Sequence, residues 1–262
     1  STSAPLVIRN HLLIGVGGDS PVGNTQGFVE SVDPETGTSQ WKWATTPGPG
    51  EPGIETWPNA QAAARIAGAP WQPPTYDPDL NLVYVGTSVT SPAPKFMMAG
   101  NDKTYLYHNS TLALNGDDGK IVWYYQHVVD HWDFDHPFER LLVDTIVNPN
   151  RDQVSWINPR VKPGERRKVV TGVPGKTGIV YTLDRQTGEF LWARPTVRQN
   201  VVSNIDGATG KVTVNPETLF SAIGQTRFVC PTINGGKNFQ AGAYSPQTNT
   251  MYYPLQNACV DV

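Results

Sequence analysis

Three segments of the chain set a polar residue, a glycine and a tryptophan at one spacing: Asp33, Gly37 and Trp41; Asn115, Gly119 and Trp123; Asp184, Gly188 and Trp192. A strand ending in Asp or Asn, a tight turn closed by Gly at positive φ, and a returning strand that carries the indole would satisfy that spacing. Each segment therefore predicts a hairpin. A second repeat, Tyr76, Asn81 and Tyr84 against Tyr244, Asn249 and Tyr252, predicts two more. Hairpins recurring along a chain argue for a radial all-β array in which each unit buries its faces on its neighbours, and a β-propeller is the expected fold. A β-sandwich is the alternative, because hairpins alone do not specify closure. About three to four blades fit in this length, so a closed ring needs further blades, from the same gene product or a companion chain.

The composition agrees with many short strands, since 25 Gly and 23 Pro punctuate the 262 residues. A net charge of -3 leaves no basic stripe for a phosphate backbone, so nucleic acid is not an expected partner. The run Arg160 to Lys168 brackets a Pro-Gly turn and is read as a solvated loop. No stretch reaches the roughly 18 apolar residues of a transmembrane helix. Residues 1–18 show neither the charged start nor the cleavage motif of a signal peptide. Long irregular inserts are expected at 44–74, 86–111 and 126–178, where loops of that length carry function or cover a site.

The densest chemistry lies at His127, Asp130, His131, Trp132, Asp133, Phe134, Asp135 and His136. In an extended segment Asp133 and Asp135 would face one way and Trp132 and Phe134 the other, which suits two oxygen ligands or a base and a ligand. A solvated loop is the plain reading. Zinc is a further one, although His127 and His131 share a face only on a helix, which Val128 and Val129 disfavour. Gly15, Gly17, Gly18 and Asp19 follow an apolar run, either as a strand-end turn or as a place where backbone approaches a ligand. Trp71 stands outside the repeats, and inter-blade packing would explain it. Lys176, before an apolar strand, reads locally as a solvated lysine. Cys230 and Cys259 are the only cysteines, and by count a disulfide and two buried thiols both fit.

Taken in order, Gly17-Gly18-Asp19, Glu55-Thr56-Trp57-Pro58, Pro70-Trp71 before Tyr76-Asp77-Pro78, Trp132-Asp133-Phe134-Asp135, Lys176-Thr177-Gly178 before Leu183-Asp184-Arg185, and Gly235-Gly236-Lys237-Asn238-Phe239 before Ala243-Tyr244-Ser245-Pro246 resemble the pyrroloquinoline quinone (PQQ)-dependent alcohol dehydrogenases of the methanol and ethanol dehydrogenase family. That resemblance implies an eight-bladed propeller with PQQ on its axis, of which residues 1–262 form a middle portion as one partial propeller domain. The family's adjacent-cysteine ring has no counterpart here.

Carried over by position, the resemblance implies that Trp71 stacks on PQQ, that Lys176 bonds the quinone oxygens, and that Asp133 is the catalytic base. It further implies cofactor contacts at Gly17, Gly18, Asn238 and Phe239, and metal ligands at Asp19, Asp133 and Asp135. Departures accompany it: Asp19 replaces a Glu, Phe239 a Trp and Val16 a Ser, while the metal-ligating Asn falls at Val89, whose side chain has no donor atom. The second carboxylate, Asp135, resembles the lanthanide-using branch, whereas the other departures favour Ca²⁺. Cys230 and Cys259 match a family disulfide. The implied activity is oxidation of an alcohol in the periplasm or outside the cell, with electrons passed to a cytochrome c or other acceptor. Without a Cys-x-x-Cys-His motif, haem is not expected on this chain. The insert from Thr90 to Met98 leaves larger secondary or sugar-like alcohols open as substrates. A non-catalytic propeller segment providing a structural or ligand-binding surface is the rival reading.

Overall fold

The structure, a computed structural model, describes residues 3–17, 26–64, 68–90, 96, 102–129 and 133–262. Chain contacts divide it into two compact units, one of Ser1–Pro137 with Phe220–Gln225 and one of Phe138–Leu219 with Thr226–Val262. The first holds two four-stranded antiparallel sheets, β1(Leu6–Ile8), β2(His11–Val16), β3(Phe28–Val32) and β4(Ser39–Ala44), then β5(Thr75–Asp77), β6(Leu82–Gly86), β7(Ser110–Asn115) and β8(Ile121–Gln126), each paired in chain order. The second holds a five-stranded sheet, from β9(Leu141–Val147), β10(Trp156–Ile157), β11(Glu165–Gly172), β12(Ile179–Asp184) and β13(Phe190–Pro195), in the order β10-β13-β12-β11-β9. Three two-stranded sheets complete it: β14(Val202–Ile205) with β15(Val212–Val214), β16(Phe228–Val229) with β19(Val260–Asp261), and β17(Ala243–Ser245) with β18(Thr250–Tyr252). No helix among the described residues is long and apolar enough to cross a membrane.

The repeats form as their turn chemistry dictates. Gly37, Gly119 and Gly188 have φ of 70, 69 and 74°, and each donates its N–H to the carbonyl of Asp33, Asn115 or Asp184 at 2.8–2.9 Å. The polar side chain caps the same turn: Asp33 Oδ1 accepts from Glu35 and Thr36, and Asp184 Oδ1 from Gln186 and Thr187. The Tyr–Asn pairs work similarly, with the tyrosine hydroxyl donating to Oδ1 of an Asn at positive φ, Tyr76 to Asn81 at 3.0 Å and Tyr244 to Asn249 at 2.8 Å.

Trp41 joins the two sheets of the first unit. Its Nε1 donates to the Gly116 carbonyl at 3.2 Å, and its ring lies so close to Gly119 that a Cβ there would sit 2.4 Å from Cε3. Beneath it, Ile8, Leu13 and Val29 of the first sheet pack with Val83, Val85, Leu112 and Leu114 of the second. Alternate residues of β2 point inward, whereas all of β6 is buried, as expected of a strand covered on both faces. In the second unit Val143, Val147, Val169 and Leu191 form the equivalent core.

Two expectations are corrected. The stretch 126–178 is not an irregular insert, because it contains β9, β10 and β11. The basic run is only partly a loop: Gly164 turns at φ 86°, but Glu165 to Lys168 belong to β11 and pair with β9. Within that strand Arg167 bonds Asp184 at 3.3 Å and Glu189 at 3.2 Å, which is why charged residues tolerate a sheet position.

Candidate functional site

In the first unit the end of β2 explains its glycines. A Cβ on Gly15 would lie 2.2 Å from the Pro70 carbonyl oxygen, and one on Gly17 would lie 2.2 Å from Ala69 Cβ. Only glycine lets the Ala69–Pro70 segment lie on this strand, and Ser88 fixes it from the other side by donating its N–H to the Ala69 carbonyl at 3.2 Å. Trp71, half-buried, follows directly. Gly18 and Asp19 lie outside the described residues.

The chain just beyond β6 gathers the polar residues. Val89 is buried and its backbone N–H donates to Oδ1 of Asp135, itself 7% exposed, at 3.1 Å. Asp133 is half-buried and Phe134 buried, while Asp130, His131 and Trp132 lie outside the described residues. His127 and His136 are buried against one another. His127 stacks on His136 with ring centres 5.0 Å apart and 7° between planes, His127 Nε2 pairs with the Thr111 hydroxyl at 2.7 Å, and His136 Nδ1 donates to the Phe134 carbonyl. His108, which the sequence did not single out, is buried with Nδ1 on the Thr90 hydroxyl at 2.9 Å, and burial pushes its pKa down to about 3. Among the described residues no three His, Cys, Asp or Glu side chains are grouped to hold a metal.

Beside the Ser88 carbonyl, which accepts its N–H at 3.0 Å, Asn109 is fully buried, and neither of its side-chain polar atoms has a hydrogen-bond partner among the described residues. An unpaired carboxamide is costly in a closed interior and leaves polar valence for a bound group or water. The indole that follows the glycine-seated Ala69–Pro70 segment and the unpaired carboxamide of Asn109 fit a planar polar group, whereas Asp135 is a single held carboxylate and not a complete cation site among the described residues.

In the second unit Lys176 is 6% exposed, which corrects the local reading of a solvated lysine. Gly235 and Gly236 pack on it: a Cβ on Gly235 would lie 2.8 Å from Lys176 Cβ, and the Gly236 N–H donates to the Lys176 carbonyl at 2.8 Å. Asn238 is half-buried and Phe239 60% exposed in the next turn of the loop, where Asn238 donates to the Asn234 carbonyl and accepts from the Phe239 N–H. A cleft of about 470 Å³ opens beside them, lined also by Pro254, Leu255 and Gln256. Cys230 and Cys259 form a disulfide, which decides between the two states that their number allowed.

The sequence also missed Lys237 and Glu139, which pair at 2.8 Å beneath this loop. A lysine after two glycines reads as a surface residue, and nothing local points to a glutamate 98 positions away.

Comparison with known proteins gives a consistent assignment. The family described as "PQQ: Glucose/ethanol/alcohol dehydrogenase, beta-propeller domain" matches residues 1–215. The dehydrogenase subunit of the alcohol dehydrogenase (quinone) of Komagataeibacter europaeus is 32% identical over 97% of this chain and 34% of its own length. The lanthanide-dependent methanol dehydrogenase of Methylacidiphilum fumariolicum is 30% identical over 99% of this chain and 42% of its own. Among solved structures, the Pseudomonas putida quinohemoprotein alcohol dehydrogenase superposes with a TM-score of 0.83 at 30% identity, covering 97% of this chain and 36% of that one. A europium-containing methanol dehydrogenase superposes with a TM-score of 0.86 at 28% identity, covering 99% and 45%. The chain thus spans about a third of the length of the first curated relatives it matches.

Proposed function

We propose, from the premise that this chain belongs to the PQQ family of glucose, ethanol and alcohol dehydrogenase β-propeller domains, that it is one portion of a quinoprotein that oxidises an alcohol to an aldehyde or ketone. Residues 1–262 are then a single partial propeller domain, completed by blades of the same gene product or a companion chain. The observation that carries the reading is the seating of the segment before Trp71: Gly15 of β2 lies against the Pro70 carbonyl and Gly17, just beyond β2, against Ala69, and the half-buried indole of Trp71 follows directly.

Each residue has a part. Trp71 would stack on PQQ, and the resemblance assigns further cofactor contacts to Gly17, Gly18, Asn238 and Phe239. Lys176, removed from water, would donate to the quinone oxygens of bound PQQ and balance negative charge there. Asp133 would accept the hydroxyl proton of the alcohol, and the carbinol hydride would go to the two-electron acceptor that bound PQQ supplies. Asp19, Asp133 and Asp135 offer carboxylate oxygens to Ca²⁺ or, with the extra charge of Asp135, a lanthanide. When bound, PQQ supplies the two-electron acceptor and the metal ion its Lewis acidity. Electrons then leave for a cytochrome c or other acceptor, and the setting is periplasmic or extracellular.

Alcohol-dependent dye reduction by the complete protein tests this. Asp133→Asn should lower turnover roughly 100-fold or more with PQQ content retained. Unchanged turnover in that variant would sink the catalytic assignment and favour the rival reading, a non-catalytic segment whose site is degraded at Val16, Asp19 and Val89.

A further inference from the structure

The loop carrying Asn238 and Phe239 has little apolar side chain of its own to bury, yet it is pinned at three places. The Gly236 N–H is bonded to Lys176. Lys237 turns inward, its side chain wholly buried, with Nζ 2.8 Å from Glu139 Oε2 and 2.9 Å from the Asn238 carbonyl. The other oxygen of the same carboxylate, Oε1, accepts the N–H of Gly242 at 2.7 Å. Glu139 therefore ties both ends of the stretch 237–242. The Phe138 ring, 4.5 Å from the ammonium, closes one side of the pair.

A buried ion pair is a poor choice for stability alone, because well-packed apolar residues of similar volume hold a protein together as well or better. Its particular property is direction: Lys237 and Glu139 have donors and acceptors that admit one loop geometry, and the free face of that loop borders the cleft of about 470 Å³. We propose that Lys237 and Glu139 are positioning residues for cofactor binding, a latch that holds Asn238 and Phe239 in the geometry in which they receive the cofactor. This rests on the reading of the site given above. Neither residue touches the reacting atoms.

The test uses the complete protein and two readouts. Without PQQ, hydrogen exchange of the amides from 235 to 242 should rise at least tenfold in Lys237→Met and in Glu139→Gln, while β11 and β12 keep their protection. With metal present, PQQ titration followed by absorbance should show at least tenfold weaker binding in Lys237→Met. The same substitution should cost nothing further when Asn238 and Phe239 are already alanine. Glu139→Gln leaves an ammonium buried without its counter-charge, so the double variant should be no less stable than that single one. Unchanged exchange in the loop would overturn the latch, as would an equal loss of PQQ affinity with Asn238 and Phe239 present or absent. Should the parent protein bind no PQQ, the cofactor reading fails and with it the role in binding.

Discussion

The backbone N–H of Val89 donates to the carboxylate of Asp135 at 3.1 Å, across 46 positions of sequence. Where the family resemblance places a metal-ligating Asn, this chain thus has an apolar side chain and a buried carboxylate brought to its backbone.

If Asp135 contributes its charge to the cation, removing that charge should matter more for a trivalent ion than for a divalent one. Asp135→Asn in the complete protein is expected to lower the preference for La³⁺ over Ca²⁺ by roughly tenfold or more. Competition titration measures the ratio, and an unchanged ratio would show that Asp135 does not meet the metal.

The burial of His108 makes stability depend on pH. Folding lowers its pKa from 6.5 to about 3, so between those values the unfolded chain binds a proton that the folded chain refuses. The contribution is fully present above pH 6.5 and is lost as pH falls below it, at about 1.4 kcal/mol per pH unit until about pH 3. Urea denaturation at pH 7 and pH 5 should show the parent losing about 2 kcal/mol more than His108→Gln. Equal losses would mean that the ring is protonated in the folded protein.

Reduction of Cys230–Cys259, or Cys259→Ser, opens a link between residues 29 apart. The loop-entropy cost is roughly 3.5 kcal/mol. Thermal unfolding of oxidised and reduced protein should differ accordingly, with β16 and β19 losing amide protection first. Protection unchanged on reduction would mean that the pairing of Phe228 with Asp261 stands without the covalent link.

Gly37 and Gly119 share a left-handed backbone, φ 70 and 69°, but differ in what surrounds them. A Cβ on Gly37 meets nothing within 4 Å, whereas one on Gly119 enters the Trp41 ring. Gly37→Ala should cost about 1 kcal/mol for the backbone conformation. Gly119→Ala should add about 1–3 kcal/mol for displacing the indole. Chemical denaturation of the two variants compares them, and equal costs would show that Trp41 docking adds nothing to stability.

The hairpins were legible because their turn chemistry is local: Asp33, Asn115 and Asp184 cap turns closed by a glycine four residues on, whatever lies around them. A further hairpin escaped notice, since Asp206 and Gly210 make the same turn with φ 75° but Val214 stands where the others have Trp. The order of motifs likewise identified the family from sequence. Long-range partners were not legible. No local rule turns Lys176 and Lys237 inward, brings Glu139 beneath a loop 98 positions on, or sets Asp135 against the N–H of Val89. By itself the sequence determined the turns, the strand pattern and the family, because these depend on neighbours in the chain. Only the tertiary structure decided which charges are buried and which backbone groups they meet, because burial depends on the packing of segments far apart in sequence.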